Sequence, residues 1–317
     1  VKALITGVTG QDGSYLAEHL TDLGWDVWGM LRGQRHPKRA WLQGLVPGMH
    51  LLEGDLLDQS SLQHVLTEAE PDVVFNLGAI TFVGMSWQQP TLMSEATGLG
   101  PLRMVEAIRT VNPDIRLVQA SSSEQFGAVR EIPQRETTPF NPRSPYGIAK
   151  VFAHHTVVNA RESYGLHAST AIMFNHESPR RGEEFVTRKV TAAAARIAMG
   201  SNERLRLGNM DARRDWGWAP DFMTAMPLIA ARDEPGDFVL ATGETHSVRE
   251  LCEVAFDAAG LSHRDHVAHD PALLRPADVD VLLGDPSKAV DILGWKPTMI
   301  FHEIVRRLVE ADLAVAA

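Results

Sequence analysis

Residues 121–150 carry side chains that can move protons. The stretch begins Ser121-Ser122-Ser123-Glu124 and ends Ser144-Pro145-Tyr146-Gly147-Ile148-Ala149-Lys150. Tyr146 and Lys150 are four positions apart, so on a helix they share one face, a turn from each other. An ammonium beside a phenol favours the phenolate by direct charge attraction and draws the tyrosine pKa towards working pH. Tyr146 is therefore a candidate base for taking a proton from a substrate hydroxyl. Ser122 and Glu124 belong to a different element, the end of a strand over residues 116–120. A hydroxyl, a carboxylate, a phenol and an ammonium can meet where that strand and the helix converge. Tyr-x-x-x-Lys alone is also the pattern of an ordinary surface pair on a helix, so the elements around it decide its meaning.

Those elements begin at the start of the chain. Residues 2–6 form a short apolar run ending in Gly7-Val8-Thr9-Gly10-Gln11-Asp12-Gly13, and a helical pattern follows over 14–23, stopped by Gly24. Strand, glycine turn and helix in that order make a dinucleotide site, since the glycines admit a pyrophosphate and the helix N-terminus offers it oriented N–H donors. Further strands are predicted over 26–31, 49–52, 72–77 and 116–120, and a helix over 91–110 that Pro101 should kink or break. Asp55, after the third strand, can accept a bond from an adenine amine or cap the helix that starts near Gln59. Leu77, Gly78 and Ala79 end the fourth strand with little bulk, leaving room for a cofactor. The second strand ends Leu31-Arg32-Gly33-Gln34-Arg35, where an NAD site would carry an acidic residue. Guanidinium groups there suit a 2′-phosphate, which favours NADP. Strands alternating with helices imply a Rossmann-type, doubly wound parallel sheet. Ligands then bind at the carboxyl ends of its strands.

A formal net charge of −10 argues against general nucleic-acid binding. The single cysteine, Cys252, excludes an internal disulfide and suits a reducing compartment. No apolar run approaches a membrane span, and no signal-peptide pattern opens the sequence, so a cytoplasmic setting is expected. His263, His266 and His269 follow no metal-ligand spacing and are read as a solvated loop, and Trp216 and Trp218 as packing residues.

With these residues in place, the chain resembles the extended short-chain dehydrogenase/reductase family, and within it the nucleotide-sugar 4,6-dehydratases. The similarity runs nearly end to end. It is carried by residues 3–18, by 144–150, by Phe-Asn-His-Glu-Ser-Pro-Arg-Arg-Gly at 174–182, by Arg-Arg-Asp-Trp-Gly at 213–217, and by stretches 185–189, 241–250 and 282–288.

The resemblance implies NADP held by Gly7, Thr9, Gly10, Gln11, Asp12, Gly13, Arg32, Asp55, Leu56, Leu77, Gly78, Ala79, Tyr146 and Lys150. It implies GDP-mannose as substrate, held by Ser86, Asn175, Glu177, Arg180, Lys189, Arg214, Arg249 and Arg275. In the implied reaction Tyr146, assisted by Lys150 and Ser122, removes the O4 proton as hydride leaves C4. Glu124 then takes the C5 proton and helps the C6 hydroxyl leave as water, and hydride returns to C6. Residues 1–173 would bind the cofactor, with short later returns, and 174–317 the nucleotide sugar. A homo-oligomer, dimer or tetramer, is implied as well. The chain departs from the family's Gln-Ser-His-Val at Ile80-Thr81-Phe82-Val83, beside the sugar pocket. Other readings of the same fold are a 4-keto-reductase or epimerase on a related nucleotide sugar, which has no use for a C5 base, and an NADP-binding sensor, which needs neither Tyr146 nor Lys150.

Overall fold

The computed structural model describes residues 1–33 and 36–316. Unbroken apolar runs make strands buried on both faces. In β1 (Lys2–Thr6), Ala3, Leu4 and Ile5 have no exposed surface. β2 (Asp26–Leu31), β3 (His50–Glu53), β4 (Val73–Asn76), β5 (Arg116–Ser122) and β6 (Ala168–Met173) follow, each after a helix. Four short strands, β7 (Asn175–Glu177), β8 (Leu205–Leu207), β9 (Arg213–Arg214) and β10 (Trp216–Trp218), precede β11 (Asp237–Leu240). The main sheet is parallel and seven-stranded, in the order β11-β6-β5-β4-β1-β2-β3. Its order reverses between β1 and β4, which is where such sheets open a ligand crevice. β11 returns to the main sheet from well beyond residue 174.

α1 (Gln11–Asp22), α2 (Arg39–Leu45), α3 (Gln59–Ala69), α4 (Val83–Ser86), α5 (Pro90–Met93) and α6 (Gly100–Val111) alternate with the early strands. α7 (Pro145–Tyr164), α8 (Val186–Ala198), α9 (Ala219–Ala230) and α10 (Val248–Ala258) come later. Leu16 and Leu20 of α1 and Phe222 and Met226 of α9 cover one face of the sheet. Leu62 of α3, Met104 and Ile108 of α6 and Val157 of α7 cover the other. Each such side chain contributes about 1.5–3 kcal/mol when fully buried. A separate core joins α8, α10 and the C-terminal helix Phe301–Ala316 through Val190, Phe256 and Val309.

Local chemistry sets the ends of the helix that matters most. Ser144 caps α7 by accepting from Gly147 N–H at 3.0 Å, and Pro145 fills the first turn, where its missing N–H costs nothing. Gly165, at φ 67°, ends α7 in the left-handed conformation glycine adopts freely. Two expectations change. The helix expected over 91–110 is three pieces: α5, a π-helical turn over Ser94–Leu99, and α6, with Pro101 in its first turn. Proline cannot donate the bond that would carry one α-helical ladder through this point. The cap of α3 is Asp58, accepting from Ser60 N–H at 2.9 Å, while Asp55 accepts from Leu57 N–H at 2.9 Å within the preceding turn.

Candidate active site

β5 and α7 bring Ser122, Glu124, Tyr146 and Lys150 to one cleft of about 360 Å³. β5 stays in register through Ser122, opposite Met173 of β6. A 3-10 turn over Ser123–Gln125 follows, with Ser122 Oγ accepting from Glu124 N–H at 3.3 Å. Gln125 ties this turn to α7, its Nε2 donating to the Lys150 carbonyl at 2.7 Å. Glu124 thus faces the cleft from the strand side while Tyr146 faces it from the helix.

The electrostatics differ from the simple pairing of phenol and ammonium. Burial pushes Tyr146 up to about 12, against the opposing effect of a hydrogen bond with Ser122. Burial also pushes Lys150 down to about 8, opposed by Asp12. The lowering of Tyr146 expected from Lys150 is therefore absent. The ammonium donates to the Ala120 carbonyl at 2.8 Å and sits 5.8 Å from the phenol ring centre, so desolvation outweighs charge attraction.

The glycine turn fits a dinucleotide. A side chain at Gly7, which has φ 68°, would meet Gly78 N at 2.8 Å, and one at Gly13 would meet Gly7 O at 2.4 Å. Backbone approach there requires glycine. Among the described residues no side chain caps the N-terminus of α1 at Gly10, so its first N–H groups are available to a pyrophosphate. Arg32 is exposed at the end of β2; Arg35 lies outside the described residues. Gln11 and Asp12 do more than face a cofactor. Gln11 Nε2 donates to the His176 carbonyl at 3.1 Å and Gln11 Oε1 accepts from Ser178 Oγ at 2.8 Å. Asp12 lies 3.0 Å from His176 Nε2. Burial opposes charge on both partners, yet each charge outweighs it, taking Asp12 down to about 2 and His176 upward. The start of α1 is thus joined to β7.

On β9, Arg214 is buried within charge reach of Glu124 and 3.6 Å from Asp278, and Arg275 is 3.9 Å from the same carboxylate. Lys189 lines the cleft from α8. Asn175 lines it from β7 and has a buried Oδ1 without a partner among the described residues.

The family model described as GDP-mannose 4,6 dehydratase matches residues 4–308. The chain belongs to the GDP-mannose 4,6-dehydratase family. It is 46% identical over 326 residues to GDP-mannose 4,6 dehydratase 1 of Arabidopsis thaliana, covering 99% of this chain and 90% of that one. It is 44% identical over 338 residues to the human GDP-mannose 4,6 dehydratase, covering 98% and 91%. Among solved structures, the UDP-glucose 4-epimerase of Thermus thermophilus in complex with NAD superposes with a TM-score of 0.85 at 28% identity, covering 98% of this chain and 99% of that one.

Within this dehydratase-family chain, three expected substrate contacts lie away from the cleft lining. Arg180 turns to α1, where it pairs with Glu18 and stacks 3.8 Å from the Tyr15 ring centre. Arg249 is exposed and pairs with Asp211 at 2.8 Å. Ser86 is buried and donates to the Val83 carbonyl at 2.7 Å. Glu177 lines the cleft but is buried, accepts from Thr187 Oγ1 at 2.5 Å and lies 3.5 Å from Arg181. Burial raises its pKa, with Arg181 and Thr187 opposing. Sequence reasoning missed Arg181, His176 and Asp278, all of which line the cleft. Arg181 is one position from the expected contact, and the turn after β7, closed by Arg181 N–H donating to the Ser178 carbonyl at 3.0 Å, sends the two side chains different ways. Trp216, expected only to pack, lines the cleft as well as stacking on Phe301.

Proposed function

We propose that this chain converts GDP-mannose to GDP-4-keto-6-deoxy-mannose, with NADP as cofactor. The observation that carries this reading is the position of Glu124, which shares one cleft with Ser122, Tyr146 and Lys150 in a member of the dehydratase family. Bound NADP would supply hydride chemistry, oxidising C4 and reducing C6. The remaining work falls to side chains. Tyr146 takes the O4 proton. Ser122 hydrogen-bonds its oxygen, and because burial holds the phenol up at about 12, the phenolate depends on positive charge that the Lys150 ammonium and a bound nicotinamide would add. The C4 ketone acidifies the C5 proton, which Glu124 removes; its protonated carboxyl then helps the C6 hydroxyl depart as water. A reductase or epimerase would have no use for that second base.

Arg214, Arg275, Lys189 and Arg181 offer the diphosphate its cations, the guanidinium groups through paired N–H donors. The exposed guanidinium of Arg32 at the end of β2 supports a 2′-phosphate, and so NADP. Residues 1–173, joined by the later return of β11, serve the cofactor, and the rest of residues 174–317 mainly the nucleotide sugar. Exposed Ile148 and Phe152, 58% and 45% accessible and one turn apart on α7, give a homo-oligomer an apolar contact, with a dimer as its smallest form. A cytoplasmic setting suits a chain with a single, buried cysteine.

Incubation with GDP-mannose and catalytic NADP tests the reading. Mass spectrometry should show a nucleotide sugar lighter by one water, with no net reduced cofactor. An epimerised sugar that keeps its water, or a keto sugar consumed with stoichiometric NADPH, would replace this reading with the other activities.

A further inference from the structure

Two aromatic rings meet over the cleft from opposite sides. Phe82 immediately precedes α4, and α4's Val83 packs on Tyr146. Phe185 immediately precedes α8. Both rings line the cleft, and their centroids lie 5.8 Å apart in an edge-to-face contact. Each ring has a close neighbour. A side chain at Gly84 would come within 2.7 Å of the Phe82 ring, so the ring folds back towards α4. The Arg181 guanidinium carbon lies 3.6 Å from the Phe185 centroid. Phe82 and Phe185 are half-buried, as are Ser122 and Glu124, whereas Tyr146 and Lys150 are only 6% and 3% accessible. The pair therefore lies nearer solvent than Tyr146 and Lys150.

A hexose must reach Tyr146 and Glu124, yet elimination of water through an activated ketone favours a site closed to solvent. One edge-to-face contact is weak enough to open often and apolar enough to reseal. We infer that Phe82 and Phe185 form an aromatic gate that parts to admit the hexose and closes over it. The inference rests on the functional reading above.

Stopped-flow binding of GDP-mannose to the full chain, followed by tryptophan fluorescence with Trp216 in the cleft as reporter, tests it without turnover. A gate slows entry and exit alike. Phe82→Ala should therefore raise both the association and dissociation rate constants, by roughly tenfold each, leaving Kd within about threefold. Phe82→Tyr, which keeps the ring, should return both rates to wild-type values. Phe82→Leu replaces the alanine variant if that variant does not fold, with the same expectation. An association rate within about twofold of wild type in the ring-less variant overturns the gate, whatever happens to dissociation. In that case the ring is an ordinary contact, or the hexose threads in from the nucleotide end. Wild-type protein that binds no GDP-mannose overturns the functional reading itself, and with it the gate.

Discussion

The two ends of the cleft are built differently. The catalytic end stands on β5 and α7, elements of the main sheet and its helical cover, and its groups are fixed by bonds within a few residues of them. The end proposed to hold the nucleotide is assembled from two short strands, a helix and loops scattered over residues 175–278, and is held by shared carboxylates such as Asp278. Burial perturbs the first strongly, moving Tyr146 to about 12 and Lys150 to about 8. The second relies on cations meeting anions. Substitutions at the two ends should therefore fail in different ways: the first in rate, the second in affinity.

The largest effect belongs to the catalytic end. Tyr146→Phe removes the phenol's proton transfer, and kcat should fall by about 10²–10⁴-fold with little change in KM, as steady-state kinetics would show. Next comes Arg214→Ala. It removes a buried guanidinium near Glu124 and Asp278. Calorimetry should find GDP binding weakened by about 10–100-fold, on the scale of a lost charged hydrogen bond, while kcat at saturation changes much less. A variant that lowers kcat and spares affinity here would erase the contrast.

Adjacent arginines sharpen it further. Arg181→Ala should raise KM for the sugar nucleotide by about tenfold. Arg180→Ala should leave KM within about twofold, because Arg180 is engaged with Glu18 and Tyr15 outside the cleft lining. Equal effects from the two would mean that the pair exchanges roles.

That pair also shows what was legible in the sequence. Periodicity and punctuation located α1 and β2, and a four-residue spacing put Tyr146 and Lys150 on one face of a helix, because those features depend on local geometry. The choice between Arg180 and Arg181 depends on which way a short strand and its following turn direct each side chain, and that is set by partners 160 residues away or more, such as Glu18, in the chain. The Asp12–His176 join is equally non-local: it links α1 to β7. Asp58, not Asp55, caps α3 because the chain makes an extra turn first. The low pKa anticipated for Tyr146 failed because spacing reports neighbours and not burial.

The smallest effect concerns that buried join. His176 keeps its proton above the ordinary histidine value of 6.5, and Asp12 is held at about 2. Below about pH 6.5 the pair contributes its full stability, down to the acid range where Asp12 protonates. As pH rises from there through the raised His176 value, the contribution fades, since the unfolded histidine has already lost its proton. The stability difference between wild type and His176→Gln in urea titrations should therefore shrink as pH rises above about 6.5. A difference that grows with pH would reverse the sign assigned to the pair.

The claim on which the rest depends is that Glu124 and Tyr146 act on one hexose. Single turnover of Glu124→Gln with GDP-mannose and NADP tests it, with cofactor reduction followed by absorbance and the sugar nucleotide by mass. The expected result is a reduced cofactor beside a keto sugar that still holds its water. Dehydrated product at the wild-type rate would contradict the account.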